Sequence, residues 1–432
     1  MEFTEVIVLV ISFIVLLVLG VPIAFSIGIS ALLTMLVSIA PEAAFTTLAQ
    51  RMATGLDSFS LLAIPFFILA GQLMNRGGIA TRLIDFAKGL VGTLPGGLAY
   101  VNILACMLFG AISGSAVAAA SAIGGIMNPR MVKEGYSRPF SAAVNITSAT
   151  TGMIIPPSNI LIVYSLASGG VSIAALFVAG YVPGLLVGLT LMIVAGVIAY
   201  KNKYPVGDRT PLKVVLKKFL DAIPSLLLLI VVIGGIIAGI FTATEASAIA
   251  VLYTLVLSLL IYREVKVTDL PDILIQTVIT TAIVMLLIGT SMGMSWVMSF
   301  ANIPQGVSEA LLSVSSNKIV VLIIINLILL FVGIFMDMTP AVLIFTPIFL
   351  PVVTTLGVNP THFGIMMVLN LCIGLCTPPV GSVLFVGCGV ADISISKVIK
   401  PLMPMFLAMV VALLLVTYIP ELSLWLPRMF GL

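Results

Sequence analysis

Apolar residues run along this chain in blocks of 16 to 30, separated by short polar or glycine- and proline-marked gaps. A bilayer core of about 30 Å needs about 20 apolar residues per helix. The pattern predicts crossing helices over 5–20, 22–39, 58–75, 139–168, 172–200, 222–240, 244–262, 272–300, 361–390 and 401–425. Residues 5–39 hold two crossings, because Gly20-Val21-Pro22 interrupts the run and proline disfavours helix continuation. Two further apolar stretches, 95–130 and 318–356, are too long for one crossing and carry Gly, Ser, Thr or Pro near their centres. They predict re-entrant hairpins, which enter and leave on one side.

The blocks repeat. Gly135 opens "GYSRPFSAAVNITSATTGMIIPPSN" and Gly357 opens "GVNPTHFGIMMVLNLCIGLCTPPVG", and in each a Pro-Pro pair begins 21 residues on. An offset of about 222 also aligns the first hairpin, from Gly110, with the second, from Gly333. The expected fold is therefore an all-α polytopic membrane protein of two inverted repeats, with five crossings and one hairpin each. Repeat 1 covers 1–200 and repeat 2 covers 222–432, joined by a cytoplasmic linker at 201–221. Internal inverted repeats with broken helices mark secondary transporters.

Charge orients the reading. With the linker in the cytoplasm, the crossing count puts all of the 19 Lys and Arg inside except Arg51, Lys318 and Arg428. Both termini are then expected outside, with no leader to be removed, since the N-terminus is acidic before its apolar run. Charged residues are 8% of the chain and mean hydropathy is +1.30, which excludes a water-exposed globule. No basic run suits nucleic acid. Cys106, Cys372, Cys376 and Cys388 read as buried free thiols, and His362 stands without a second metal ligand at useful spacing.

Candidate chemistry sits where the backbone leaves the helix at membrane depth, since its polar groups must be met by protein, water or ligand. Four such places form two pairs. Hairpin one turns at Ser113-Gly114-Ser115 and its partner break is Ile155-Pro156-Pro157-Ser158-Asn159; hairpin two turns at Met336-Asp337-Met338-Thr339-Pro340 and its partner runs from Cys376 to Ser382. Freed carbonyls suit sodium, and helix N-termini suit anions. Close helix packing would also place small residues there, but packing does not explain four breaks in repeat register. Asp337 lies in an apolar setting with no basic neighbour, so it is expected to support a sodium ion, with structural hydrogen bonding as the alternative. Glu245 and Asp57 read as helix caps. Residues 76–88 and 305–313 read as amphipathic arms along the membrane surface or as polar loops.

The segments "GAISGSAVAAASAIG", "ATTGMIIPPSN", "GIFTATEASA", "GIFMDMTPAVLIFTPIFLP" and "GLCTPPVGSVLFVG" resemble the large permease subunit of the tripartite ATP-independent periplasmic transporters over essentially the whole chain. That resemblance implies sodium-coupled organic-acid uptake across the bacterial inner membrane by an elevator motion. Hairpins 95–130 and 318–356 and broken helices 139–168 and 361–390 would form the moving part. It implies a separate small membrane subunit and a periplasmic substrate-binding protein as partners. It also implies one sodium site at Ser113, Gly114, Ser115, Pro157, Ser158 and Asn159, and a second at Gly333, Asp337, Thr339, Thr377 and Pro379. Substrate contacts would fall on Ser115, Asn159, Thr339, Pro340, Gly381 and Ser382, and substrates would be carboxylates such as dicarboxylates and sialic acids. A stand-alone sodium/dicarboxylate or citrate symporter, or an ion antiporter, remains the nearest alternative. An enzyme lacks clustered acid, base or metal ligands, and an ATP-driven pump lacks a phosphate loop.

Overall fold

The structure, a computed structural model, describes residues 2–206 and 211–432, and the regular structure there is helical. In chain order the helices are α1 (Glu2–Val18), α2 (Ile23–Ser38), α3 (Pro41–Leu56), α4 (Ala63–Arg76), α5 (Ile79–Val91), α6 (Gly97–Ser113), α7 (Ala116–Lys133), α8 (Arg138–Ala149), α9 (Asn159–Ala167) and α10 (Ile173–Lys201). There follow α11 (Leu212–Ile237), α12 (Ala243–Leu255), α13 (Leu270–Phe300), α14 (Ile303–Val314), α15 (Lys318–Phe335), α16 (Met338–Thr355), α17 (Pro360–Gly374), α18 (Ser382–Val390), α19 (Ile395–Tyr418) and α20 (Glu421–Met429). Eight helical segments among the described residues are long and apolar enough to cross a membrane.

The broken segments match the punctuation of the sequence. α6 and α7 meet at Gly114, which takes φ +61° and so turns the chain where a side chain would be strained. α15 and α16 meet at Met336-Asp337. Each Pro-Pro pair separates two half-helices, α8 from α9 and α17 from α18. In each half the first hairpin helix crosses its broken helix glycine to glycine. A Cβ on Gly152 would lie 2.3 Å from the Cα of Gly110, and one on Gly374 would lie 2.6 Å from the Cα of Gly333. Such spacing leaves room for backbone only.

Packing divides the helices into two bodies. α1–α4 and α11–α13 pack chiefly on one another, as do α6–α10 and α15–α20, and α5 and α14 each lean on both. In the second body the two chain halves interlock: the Tyr164 hydroxyl donates to the Pro360 carbonyl at 2.6 Å and the Cys376 thiol to the Ile146 carbonyl at 3.3 Å. In the first, Thr244 Oγ1 donates to the Phe59 carbonyl at 3.0 Å and ties α12 to the entry of α4.

The structure corrects several expectations and bears out others. Residues 41–56 form α3, which its polar content had hidden. The linker is shorter than 201–221, because α11 begins at Leu212 and carries Lys213, Lys217 and Lys218; Arg209 lies outside the described residues. Long lysine stems can lie along apolar surface with the charge in water, so they do not end the helix. The 401–425 block is α19 plus the start of short α20. Residues 76–88 and 305–313 fall largely on the helices α5 and α14; α5 buries Ile79, Ala80, Leu83, Ile84 and Ala87 on one face. Glu245 does cap α12, reciprocally with Thr242. Asp57 does not cap: it follows the last turn of α3, and the short helix after it has no side-chain cap. All four cysteines are buried free thiols.

Candidate functional site

A cavity of about 480 Å³, within the range for small-molecule sites, opens between the two bodies. The second body contributes Ser113, Gly114, Ser115, Met153, Asn159, Asp337, Met338, Thr339 and Leu375; α4 and α13 face them from the first. The cavity thus brings together both hairpin tips and the first break.

The first tip is built from neutral groups. Ser115 caps α7, its hydroxyl accepting from the Ala118 amide at 3.2 Å. Ser113 is buried, and its hydroxyl reaches the Ser115 carbonyl at 3.5 Å. Ser158 is fully buried, its hydroxyl donating to the Met153 carbonyl at 2.5 Å, and it is not in the cavity lining. Asn159, the first residue of α9, lies against Gly114, where an added Cβ would come within 3.1 Å of its Nδ2. Its Oδ1 is buried without a hydrogen-bond partner.

The second tip carries the charge. Asp337 stands at the N-cap of α16, makes no side-chain cap bond, has no ion-pair partner among the described residues, and is solvent-accessible through the cavity. Among the described residues it is the only charged one in the lining, and no lysine, arginine or histidine joins it. Thr339 is the second residue of the same helix, in its first turn, and also lines the cavity.

The remaining expected residues sit outside the lining. Gly333 packs on Gly374, and Pro340 is buried in α16. Thr377 Oγ1 donates back to the Ile373 carbonyl at 2.8 Å. The Gly381 amide donates to the Ile334 carbonyl at 3.2 Å, which staples the second break to the second hairpin. Ser382, the first residue of α18, has a buried hydroxyl without a partner. Pro157 is buried and Pro379 exposed, neither in the lining. Of the six expected substrate contacts, Ser115, Asn159 and Thr339 meet at the cavity; Pro340, Gly381 and Ser382 do not.

Unpartnered buried oxygens are rare in proteins and ask for an explanation. Of the seven side-chain oxygens of this kind among the described residues, one stands at the start of each second half-helix, on Asn159 and on Ser382, and the Asp337 carboxylate, without an ion-pair partner, stands at the second tip. Hard oxygens around freed backbone are the donor set of a cation such as sodium. The residues fit that ion: Ser113, Ser115 and Asn159 could hold one, and Asp337, Thr339 and the second break another.

The tripartite ATP-independent periplasmic transporter DctM component matches the chain over residues 10–422. The chain belongs to this family. It is 60% identical over 420 residues to the protein YgiK of Salmonella typhimurium, covering 97% of this chain and 96% of that one. It is 40% identical over 407 residues to the C4-dicarboxylate TRAP transporter large permease protein DctM of Pseudomonas aeruginosa, covering 94% and 95%. The crystal structure of the YdaH transporter of Alcanivorax borkumensis shares the fold, with a TM-score of 0.63 at 13% identity over 90% of this chain and 89% of that one. This TRAP large permease is thus a multi-pass membrane transporter component. Sequence reasoning missed the wall opposite the tips, where Gln72, Asn75 and Thr280 line the cavity. The signal available was a polar pair at helical spacing within an apolar block.

Proposed function

We propose that this permease carries an organic acid, of the C4-dicarboxylate or sialic acid class, inward across the bacterial inner membrane together with sodium. A small membrane subunit and a periplasmic binding protein act with it. The observation that carries this reading is the charge of the cavity: among the described residues it has one carboxylate and no fixed cation. An organic anion brought into such a space adds like charge, which is costly at low dielectric unless a cation comes with it. Sodium at the tips supplies that charge, and the N-termini of α7, α9 and α16 add partial positive charge towards the carboxylate. Substrate and ion then bind as one unit. Ser115, Asn159 and Thr339 orient the acid, and Asp337 holds the ion.

The division into two bodies supports an elevator motion, with α6–α10 and α15–α20 sliding past α1–α4 and α11–α13 on the arms α5 and α14. Arg76 follows the cavity-lining turn of α4, so the positive-inside rule orients this state with its cavity towards the cytoplasm.

The test is uptake of labelled succinate and N-acetylneuraminate into proteoliposomes holding this chain and its small subunit. Uptake of either that needs both an inward sodium gradient and the binding protein is expected. Uptake driven by protons, or indifferent to the binding protein, overturns the reading.

A further inference from the structure

The two walls of the cavity differ in chemistry and in the body to which they belong. Opposite the tips, α4 presents Ile64, Ile68, Gly71, Gln72 and Asn75, which share one face of the helix. Gln72 and Asn75 end in neutral carboxamides, and neither has a hydrogen-bond partner among the described residues. Carboxamides that line a cavity and bond to nothing in the protein have donors and acceptors left for a ligand. α4 is anchored in the first body, since Ser258, in the helical segment Val256–Ile261 that continues α12, donates to the Leu73 carbonyl at 3.4 Å. Gly71 brings α4 hard against the first tip, where an added Cβ would lie 2.8 Å from the Ser113 carbonyl oxygen. The carboxamides therefore face whatever the tips hold, in the conformation where tip and α4 touch.

We propose that Gln72 and Asn75 are specificity-determining residues that hydrogen-bond hydroxyl or keto groups on the carbon chain of the substrate, and do so only while the tips lie against α4. This rests on the reading that the tips hold the carboxylate of an organic acid. A carboxamide offers both donors and an acceptor; a hydroxyl uses both, whereas a bare methylene chain leaves them unmet. Sites built to bond a substrate hydroxyl discriminate strongly against the analogue lacking it. Because α4 does not travel with the tips, the chain of the acid is read at the cytoplasm-facing end of the cycle.

The test uses this chain and its small subunit in lipid nanodiscs, with equilibrium binding of labelled succinate, malate and N-acetylneuraminate in sodium. The wild type is expected to bind malate or N-acetylneuraminate ahead of succinate. In the Gln72→Leu/Asn75→Leu double variant, binding of the hydroxylated acids should weaken roughly tenfold or more while succinate binding holds. A sodium-dependent rise in melting temperature, retained in the variant, shows that it is folded with its ion sites in place. Should the leucines disturb folding, Gln72→Ala alone repeats the readout with a smaller side chain. An unchanged ratio of hydroxylated acid to succinate, or a wild type that prefers succinate, overturns the proposal. A wild type that binds none of the three in sodium is a different failure, which removes the organic-acid reading and this proposal with it.

Discussion

The two hairpin-and-break pairs use one backbone plan for two kinds of chemistry. In the first, the tip is capped by Ser115 and both tip and break reach the cavity, through neutral oxygens. In the second, the tip brings an uncapped carboxylate, Asp337, while the break retreats behind it and is stapled to the hairpin through Gly381 and Ile334. The glycine crossings at Gly110–Gly152 and Gly333–Gly374 are the same in both. Repetition thus preserves the device that opens the backbone, and divergence assigns charge to one copy. The neutral copy is suited to cradle an ion and orient the acid; the charged copy is suited to make ion binding obligatory.

The largest break in that comparison should come from Asp337→Asn. If the charged copy drives coupling, sodium-driven uptake falls by about 100-fold, as expected when the carboxylate that meets the bound ion loses its charge. Measured in the same proteoliposomes, an uptake rate that keeps its sodium dependence would place coupling elsewhere. The shared device is probed next. Gly152→Ala and Gly374→Ala each force a Cβ onto backbone, and each should destabilise the complex by about 1–3 kcal/mol, lowering its melting temperature by similar amounts. Gly125→Ala, with open space around it, is the control and should stay within about 0.5 kcal/mol. If only one of the two crossings is sensitive, the halves are not built alike. The smallest effect separates the tips. Ser115→Ala loses a cap and should cost about 1 kcal/mol of thermal stability, whereas Asp337→Asn, which breaks no cap bond, should cost little in the absence of sodium.

The breaks were legible because doubled prolines, Pro156-Pro157 and Pro378-Pro379, stand at matching places in the two halves and Gly114, with its positive φ, stands between two serines, whereas single prolines such as Pro183 and Pro347 stay inside helices. Their constant offset carried the pairing of hairpins and broken helices. α3 was not legible, since Glu42, Gln50 and Arg51 dilute its hydropathy and it packs on α13 rather than standing alone in lipid. The start of α11 was hidden by lysines that end no helix. Within the site, a ligand set inferred from segments could not tell lining from backing. Thr377, Gly381 and Ser382 stand at the right break, but the staple to Ile334 turns that break away from the cavity. Gln72 and Asn75 escaped notice because their function depends on which helix packs against the first tip, a contact between distant parts of the chain. Local punctuation encodes where a helix breaks; only packing decides what faces the break.

In the proposed function an acid enters this cavity only with its cation. The most direct test of this is titration calorimetry of the organic acid into the complex in nanodiscs, repeated at increasing sodium with choline as the replacement. No measurable binding is expected in choline, with an affinity that climbs with sodium concentration. An affinity that is the same in sodium and choline would contradict the proposed function.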